Sequence, residues 1–327
     1  MEPLRNNTKR YNDYSSYIRS IFPGRTQKIS VDASFTCPNR DGSKSYAGCT
    51  YCNNNSFKPS YCKPVKSITE QVEEGIAFFS KRKKIDQFLA YFQAFSNTYS
   101  DLETLREKYL EALSVKDVKG LVISTRPDCL DKNTVQLLEE LTKSCYVSLE
   151  IGIESCYDDT LNQLNRCHTF ETTRRAFELC RNKNFDVGGH LILGLPGETK
   201  EMMLNQADII SDLGLKTIKI HQLQIIGKTV LAKQFADNPS SFQFFTVGEY
   251  SELIVHFLER LDPKIVVERF ASQSPYDLLI FPKWGLKNFE IAFKIEKELE
   301  KNDTFQGKNF RKKYLLANQT PALQCTS

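Results

Sequence analysis

Apolar and polar positions along this chain switch repeatedly between a two-residue and a three-to-four-residue rhythm. QKISVDASF (27–35) alternates as a strand does, and SITEQVEEGIAFFSKR (67–82) has helical spacing with a capping-box pattern from Ser67 to Glu70. The pair then recurs. DQFLAYFQAF (86–95) is strand-like and DLETLREKYLEALS (101–114) helical. GLVISTRP (120–127) is a strand, TVQLLEELTKS (134–144) a helix, CYVSLEIGIES (145–155) a strand and TTRRAFELCRNK (172–183) a helix. DVGGHLILGLPG (186–197) is a strand running into a Gly/Pro turn, KEMMLNQADIISDLG (200–214) a helix and TIKIHQLQII (217–226) a strand. An earlier helix over Tyr14–Ile21 is ended by Pro23-Gly24. Strands alternating with helices of about three turns predict an α/β fold of parallel units, six by this count against the eight of a closed barrel. No internal repeat or low-complexity tract interrupts the series.

After Lys228 the alternation weakens. VGEYSELIVHFLERLD (247–262) is helical, IVVERFASQ (265–273) a strand, SPYDLLIFPKW (274–284) a loop or short strand, and LKNFEIAFKIEKELEKN (286–302) a helix. This predicts an N-terminal segment over 1–26, a barrel core over 27–235 and an α+β extension over 236–327, the second boundary being diffuse across 228–245. The terminal stretch YLLANQTPALQCTS is expected to be poorly ordered.

Composition narrows the class. Of 327 residues, 40% are hydrophobic and 26% charged, as in ordinary globular proteins. No apolar run approaches the roughly 20 residues that span a bilayer, and MEPLRNNTKRYNDYSS has no apolar signal region. The expectation is a cytoplasmic protein, with no membrane or DNA partner. Its ten cysteines are then metal ligands, reactive thiols or small buried side chains rather than a disulfide framework. A net charge of +4 is too mild to establish a polyanionic partner. Lys283, Lys287, Lys294, Lys297, Lys301, Lys308, Arg311, Lys312 and Lys313 do crowd the last fifth of the chain, interleaved with Glu290, Glu296, Glu298 and Glu300. They form either a solvated helix face or a phosphate-tracking surface.

Candidate chemistry concentrates in CPNRDGSKSYAGCTYC, directly after the first strand of the series. Cys49 and Cys52 make a short bite, and Gly42 and Gly48 let Cys37 fold back toward them. Three thiolates can hold three irons of a cubane and leave the fourth open, whereas a structural metal site is closed by four ligands. Cys62, ten residues beyond Cys52, would supply the fourth ligand of a zinc site. Cys129, Cys145, Cys156, Cys167, Cys180 and Cys325 lack paired spacing and suit small buried side chains. A loop at the C-terminal end of a barrel strand is where such folds place chemistry.

These features resemble the radical S-adenosylmethionine (SAM) superfamily, whose cysteine loop follows the first strand of a partial (β/α)6 TIM-like barrel. Tyr51, just before the third cysteine, matches that pattern. The spacing here, C-x11-C-x2-C, departs from the usual C-x3-C-x2-C and is similar to the branch containing the catalytic subunit of Elongator. Across nearly the whole chain the segments resemble the bacterial YhcC/YtqA-like family, including QAFSNTY and ERFASQSPYDLLIFPKW. The acetyltransferase domain of the Elongator subunit has no counterpart, so acetyl-CoA chemistry is not implied.

The resemblance implies a [4Fe–4S] cluster on Cys37, Cys49 and Cys52, with SAM on its open iron. It places Glu154-Ser155 at the cofactor's ribose and gives Arg166, in LNQLNRCHT, the methionine carboxylate. The HLILGLPGET turn, with Gly194, Pro196 and Gly197, would pack on adenine. The Gly-Gly-Glu-like motif expected after the second strand is replaced by FQAFSNTY, where Gln93, Ser96 and Asn97 are the candidates for the methionine amino group. His168 is either structural or a substrate group. The implied activity is reductive cleavage of SAM to a 5′-deoxyadenosyl radical, served by a reductant such as flavodoxin or ferredoxin. The implied substrate is tRNA, with conversion of a carboxymethylaminomethyl group to aminomethyl on wobble uridine. Phe270, Tyr276 and Trp284 are either core or base-stacking residues. Two other readings remain open at this point: a radical enzyme acting on a peptide or small molecule, and a non-catalytic, zinc-stabilised RNA-binding protein.

Overall fold

The computed structural model describes residues 9–81 and 84–311. Arg82, Lys312, Lys313, Cys325 and the terminal stretch lie outside them.

The strands are β1 (Thr26–Val31), β2 (Gln87–Phe92), β3 (Val118–Thr125), β4 (Tyr146–Glu154), β5 (Asp186–Leu193) and β6 (Thr217–Gln222). Helix α1 (Tyr14–Ile21) precedes them. Between them run α2 (Ile68–Ser80), α3 (Leu102–Ser114), α4 (Lys132–Leu141), α5 (Asp158–Gln163), α6 (Phe170–Leu179) and α7 (Lys200–Ser211). All six strands pair in chain order and in parallel. The Ser67–Glu70 capping box forms, with Ser67 N donating to Glu70 Oε2 at 2.8 Å and Glu70 N to Ser67 Oγ at 3.1 Å.

Further along are β7 (Ile225–Ile226), α8 (Val230–Asp237), α9 (Val247–Arg260), β8 (Val266–Arg269), β9 (Leu279–Phe281) and α10 (Asn288–Lys301). The sheet has seven strands rather than six, because β8 pairs in parallel with β6. The strand expected over 217–226 splits in two: β6 ends at Gln222, and β7 leaves the sheet to pair antiparallel with β9. The result is a curled, open half-barrel with an extension carrying α8 to α10. No helix among the described residues is long and apolar enough to cross a membrane.

Period-two alternation sorts the side chains. Ile29, Val31, Ala90, Phe92, Ile123, Leu149, Ile151, Ile153, Leu191 and Ile218 join the main core with the surrounding helices. A smaller cluster of Ile18, Leu89, Tyr91 and Val122 packs against Tyr14 and Phe22 of the N-terminal segment. Polar residues hold the intervening positions: Lys28, Tyr91, Ser124, Glu150, His190, Lys219 and Glu268. Glu150 accepts from Lys219 at 2.5 Å, Lys28 at 3.1 Å, Tyr91 at 2.8 Å and Ser124 at 3.1 Å, and its other close neighbour is His190 Nε2 at 2.9 Å. Lys28 also reaches Glu268 at 2.7 Å, tying β1 to β8 across the open seam.

Candidate active site

The C-terminal strand ends surround a cavity of about 260 Å³. Cys37, Cys49 and Cys52 all line it. After β1, Cys37 O accepts from Arg40 N at 2.7 Å, and Gly48 N donates to Asn39 O at 2.7 Å, folding the long gap back on itself. Cys52 N donates to Cys49 O at 3.0 Å, a tight turn that holds the two thiols together. Thr50 pins the loop to its neighbours, its N–H reaching Leu164 O at 3.0 Å and its carbonyl accepting from Leu231 N at 2.8 Å.

Positive charge surrounds these sulfurs. Arg126 Nη1 lies 3.7 Å and Arg166 Nη1 3.6 Å from Cys49 Sγ, while Asn39 Nδ2 is at 3.6 Å. Arg40 donates to Cys52 O at 2.9 Å. Asp128 holds Arg126 bidentately at 2.9 Å and also meets Lys44 at 2.7 Å. Burial works to raise the Asp128 carboxyl, yet Arg126 and Lys44 bring it down to about 2. Burial pushes the Cys37 and Cys52 thiols up. Arg166 donates to Gly152 O at 2.8 Å and sits 3.7 Å from Glu154, but its buried Nε finds no partner among the described residues. Three soft donors beside buried guanidiniums suit a thiolate-ligated, anionic iron–sulfur cluster, because they offset charge that would otherwise be costly to bury. Cys62 instead packs in the main core, and burial pushes its thiol up to about 12. Among the described residues, no group of three or more His, Cys, Asp or Glu is arranged to hold a single metal ion.

Tyr51, Gln93, Glu154 and Arg166 share the cavity wall with the cysteines. Glu154 is left-handed (φ 62°) at a register shift between β4 and β5, a conformation costing roughly 1–3 kcal/mol in a non-glycine residue. Ser96, Asn97, Ser155, Gly194, Pro196 and Gly197 do not line the cavity. Ser96 bonds Thr125 at 3.0 Å, and Asn97 donates to Phe92 O and Ser124 O at 3.1 and 2.9 Å, so both brace the ends of β2 and β3. Gly194 (φ 91°) is left-handed, and a Cβ there would meet Phe245 and Gln243 O at 3.5 and 3.6 Å. His168 is buried, and desolvation followed by the Arg166 charge lowers it to about 3, so it is neutral.

Several cavity residues escaped the sequence analysis: Arg40, Arg126, His190, His221 and Arg269. Arg126 had a usable signal, since it immediately follows β3 as Glu154 ends β4. In the extension, Phe270 is core, Trp284 donates to Phe245 O at 3.0 Å, and Tyr276 is 80% exposed. Lys297 pairs with Glu300 at 2.6 Å and Lys301 with Glu298 at 2.9 Å, as on a solvated helix face.

Ser155 donates to the buried Glu198, which Gln206 also contacts at 3.0 Å. Burial outweighs these bonds and pushes the Glu198 carboxyl up to about 7. A carboxyl raised on folding binds its proton more tightly in the native state. Its contribution to stability is therefore complete below the unfolded value near 4.5 and is lost as pH rises to about 7. Glu198→Gln should flatten the stability profile between those pH values, removing a change of roughly 3 kcal/mol expected in urea melts of the parent. An unchanged slope would contradict this.

The half-barrel and its three-thiol pocket define a class, and sequence comparison agrees. The Radical SAM superfamily matches residues 36–209 and the Radical_SAM C-terminal domain residues 215–301; the chain belongs to the radical SAM superfamily. Members of that superfamily bind a [4Fe–4S] cluster and SAM. The chain is 33% identical over 310 residues to Bacillus subtilis YtqA, covering 95% of this chain and 96% of that one. It is 30% identical over 277 residues to Escherichia coli K12 YhcC, covering 84% and 88%. The structure of Methanocaldococcus infernus Elp3 lacking its N-terminal residues matches with a TM-score of 0.66 at 18% identity. That match covers 86% of this chain but 64% of Elp3, and it shows a shared fold.

Proposed function

We propose that this chain is a radical SAM enzyme that removes the carboxymethyl group from carboxymethylaminomethyl uridine at the tRNA wobble position. The observation carrying the enzymatic part is the convergence of three thiols, two buried arginines and a polar cavity at the strand ends. Cys37, Cys49 and Cys52 would hold the cluster, and Arg166, Glu154 and Tyr51 would line the SAM site. When bound, these cofactors supply one-electron cleavage of a sulfonium bond and hydrogen-atom abstraction from carbon. The protein's part is placement. Arg126 and Arg166 offset negative charge at Cys49, the Thr50 contacts fix the loop, and the enclosing strand ends limit water. A flavodoxin- or ferredoxin-like reductant would deliver the electron.

The tRNA assignment rests on the resemblance to the Elongator catalytic subunit. Exposed Tyr276, with Lys283 Nζ 4.7 Å from its ring centroid, offers a base-stacking surface. Hydrogen next to nitrogen is comparatively weak, which favours abstraction from a carboxymethylamine. Mass spectrometry of wobble nucleosides from cells lacking the protein should show the carboxymethylaminomethyl form accumulating and the aminomethyl form lost. An unchanged nucleoside profile would count against the substrate.

A further inference from the structure

One part of the cavity wall is formed by β6, the residues after β8 and Arg269 at the end of β8, and the interior charges of β1, β4, β6 and β8 beside it do not cancel. Three cations (Lys28, Lys219, Arg269) face two carboxylates (Glu150, Glu268). Lys28 meets Glu150 and Glu268 at 3.1 and 2.7 Å, and Lys219 meets them at 2.5 and 3.4 Å. Both carboxylates are thus engaged by the lysines, and one positive charge remains on Arg269. Among the described residues no carboxylate lies within 4.0 Å of its guanidinium. Its side chain makes one hydrogen bond there, from Nη2 to His221 Nε2 at 3.2 Å, and its Nε is buried without a partner.

The surroundings fix this group in place. A guanidinium only donates, so His221 Nε2 accepts, leaving the proton on Nδ1 to donate to Ser272 Oγ. His221 is therefore neutral and orients Arg269 without cancelling its charge; the ring stacks on His190 at 5.4 Å. Gln222 accepts from Ser272 N at 2.7 Å and Gln224 from Ser274 Oγ at 2.8 Å, clamping the segment after β8 to the end of β6.

We propose that Arg269 is the seat for a carboxylate of the substrate, in the same cavity that the three thiols line. This deepens the reading above and rests on it in taking the cavity as the substrate site. The free edge of a guanidinium fork matches the two oxygens of a planar carboxylate. A half-buried cation lacking a counter-charge is unfavourable until an anion arrives. An N-carboxymethyl group carries that anion.

The test is titration calorimetry of anaerobically prepared holoenzyme at constant ionic strength, with N-acetylglycine, neutral N-acetylglycinamide and inorganic phosphate as probes. N-acetylglycine should bind more tightly than either other probe. Arg269→Gln should weaken it roughly tenfold or more, and Arg269→Lys, which keeps charge but not the fork, by less. SAM affinity should stay within about twofold in both variants, because its carboxylate is assigned to Arg166. Should the Gln variant fail to fold, the Lys variant decides by the same two measurements. Equal binding of the amide, tighter binding of phosphate, or N-acetylglycine affinity unchanged by substitution would overturn the proposal. So would a tenfold loss of SAM affinity, which would give the seat to the cofactor. No tRNA enters this test, so its failure is distinct from a negative result in the wobble-nucleoside analysis.

Discussion

Cys49→Ala is expected to yield a folded chain that retains no iron above background and forms no 5′-deoxyadenosine from SAM. Cys49 is where Asn39, Arg126 and Arg166 converge, so its sulfur is the most heavily oriented of the three. With one thiolate gone, the two remaining cannot retain a cubane that needs three protein ligands. Activity should fall by at least about a thousandfold, to the assay floor. Truncating one buried sulfur costs folding only on the order of 1 kcal/mol, so circular dichroism should stay native. Cys62→Ala is the control. It opens a small gap in the main core but leaves iron content and cleavage intact. Normal iron and cleavage in the Cys49 variant would remove the basis of the assignment.

The second large effect is on stability. Glu150→Gln keeps the shape of the side chain and removes the charge around which the barrel interior is built. Burial works to raise this carboxyl, and Lys219 and Lys28 overcome it, holding it well below the usual range. Burial in turn lowers Lys219 to about 8 against the pull of Glu150 and Glu268. Neutralising Glu150 leaves two buried ammonium groups sharing Glu268, and breaking a buried pair from one side costs about 3–5 kcal/mol. Much of the stability of an ordinary domain is of that size, so the variant should melt far below the parent or fail to accumulate. Adding Lys219→Met should recover a substantial part of the loss, since it removes the stranded charge. A Glu150→Gln melt within 1 kcal/mol of the parent would show that the network is not structural.

The β/α succession was legible because helical and strand periods differ, and the parallel order of β1 to β6 followed from it. Assigning β8 to the barrel was not. Four residues, VVER, carry no mark of which sheet they join, and only the open edge of β6 decides it. The same limit governed the site. Cys37, Cys49 and Cys52 were readable as a group because thiols stand out by type and spacing, and the structure brings all three to one cavity. Ser96 and Asn97 were plausible ligands by type, yet the turn after β2 sends them into hydrogen bonds with β3 and its end. Arg269 and His221 lie more than 160 residues beyond the cysteines and reach the cavity only because the sheet curls. A hint existed in the strands themselves: Lys28, Glu150, His190, Lys219 and Glu268 occupy alternate positions that a dry parallel barrel would fill with apolar side chains.

The proposed chemistry depends on an iron–sulfur cluster held by three cysteines with one iron open to SAM. The decisive experiment is anaerobic reconstitution followed by iron, sulfide and zinc analysis, with electron paramagnetic resonance of the reduced protein before and after SAM addition. About four irons and four sulfides per chain are expected, with a reduced-cluster signal that changes when SAM binds. One zinc and no iron, or a cluster signal indifferent to SAM, would contradict the account.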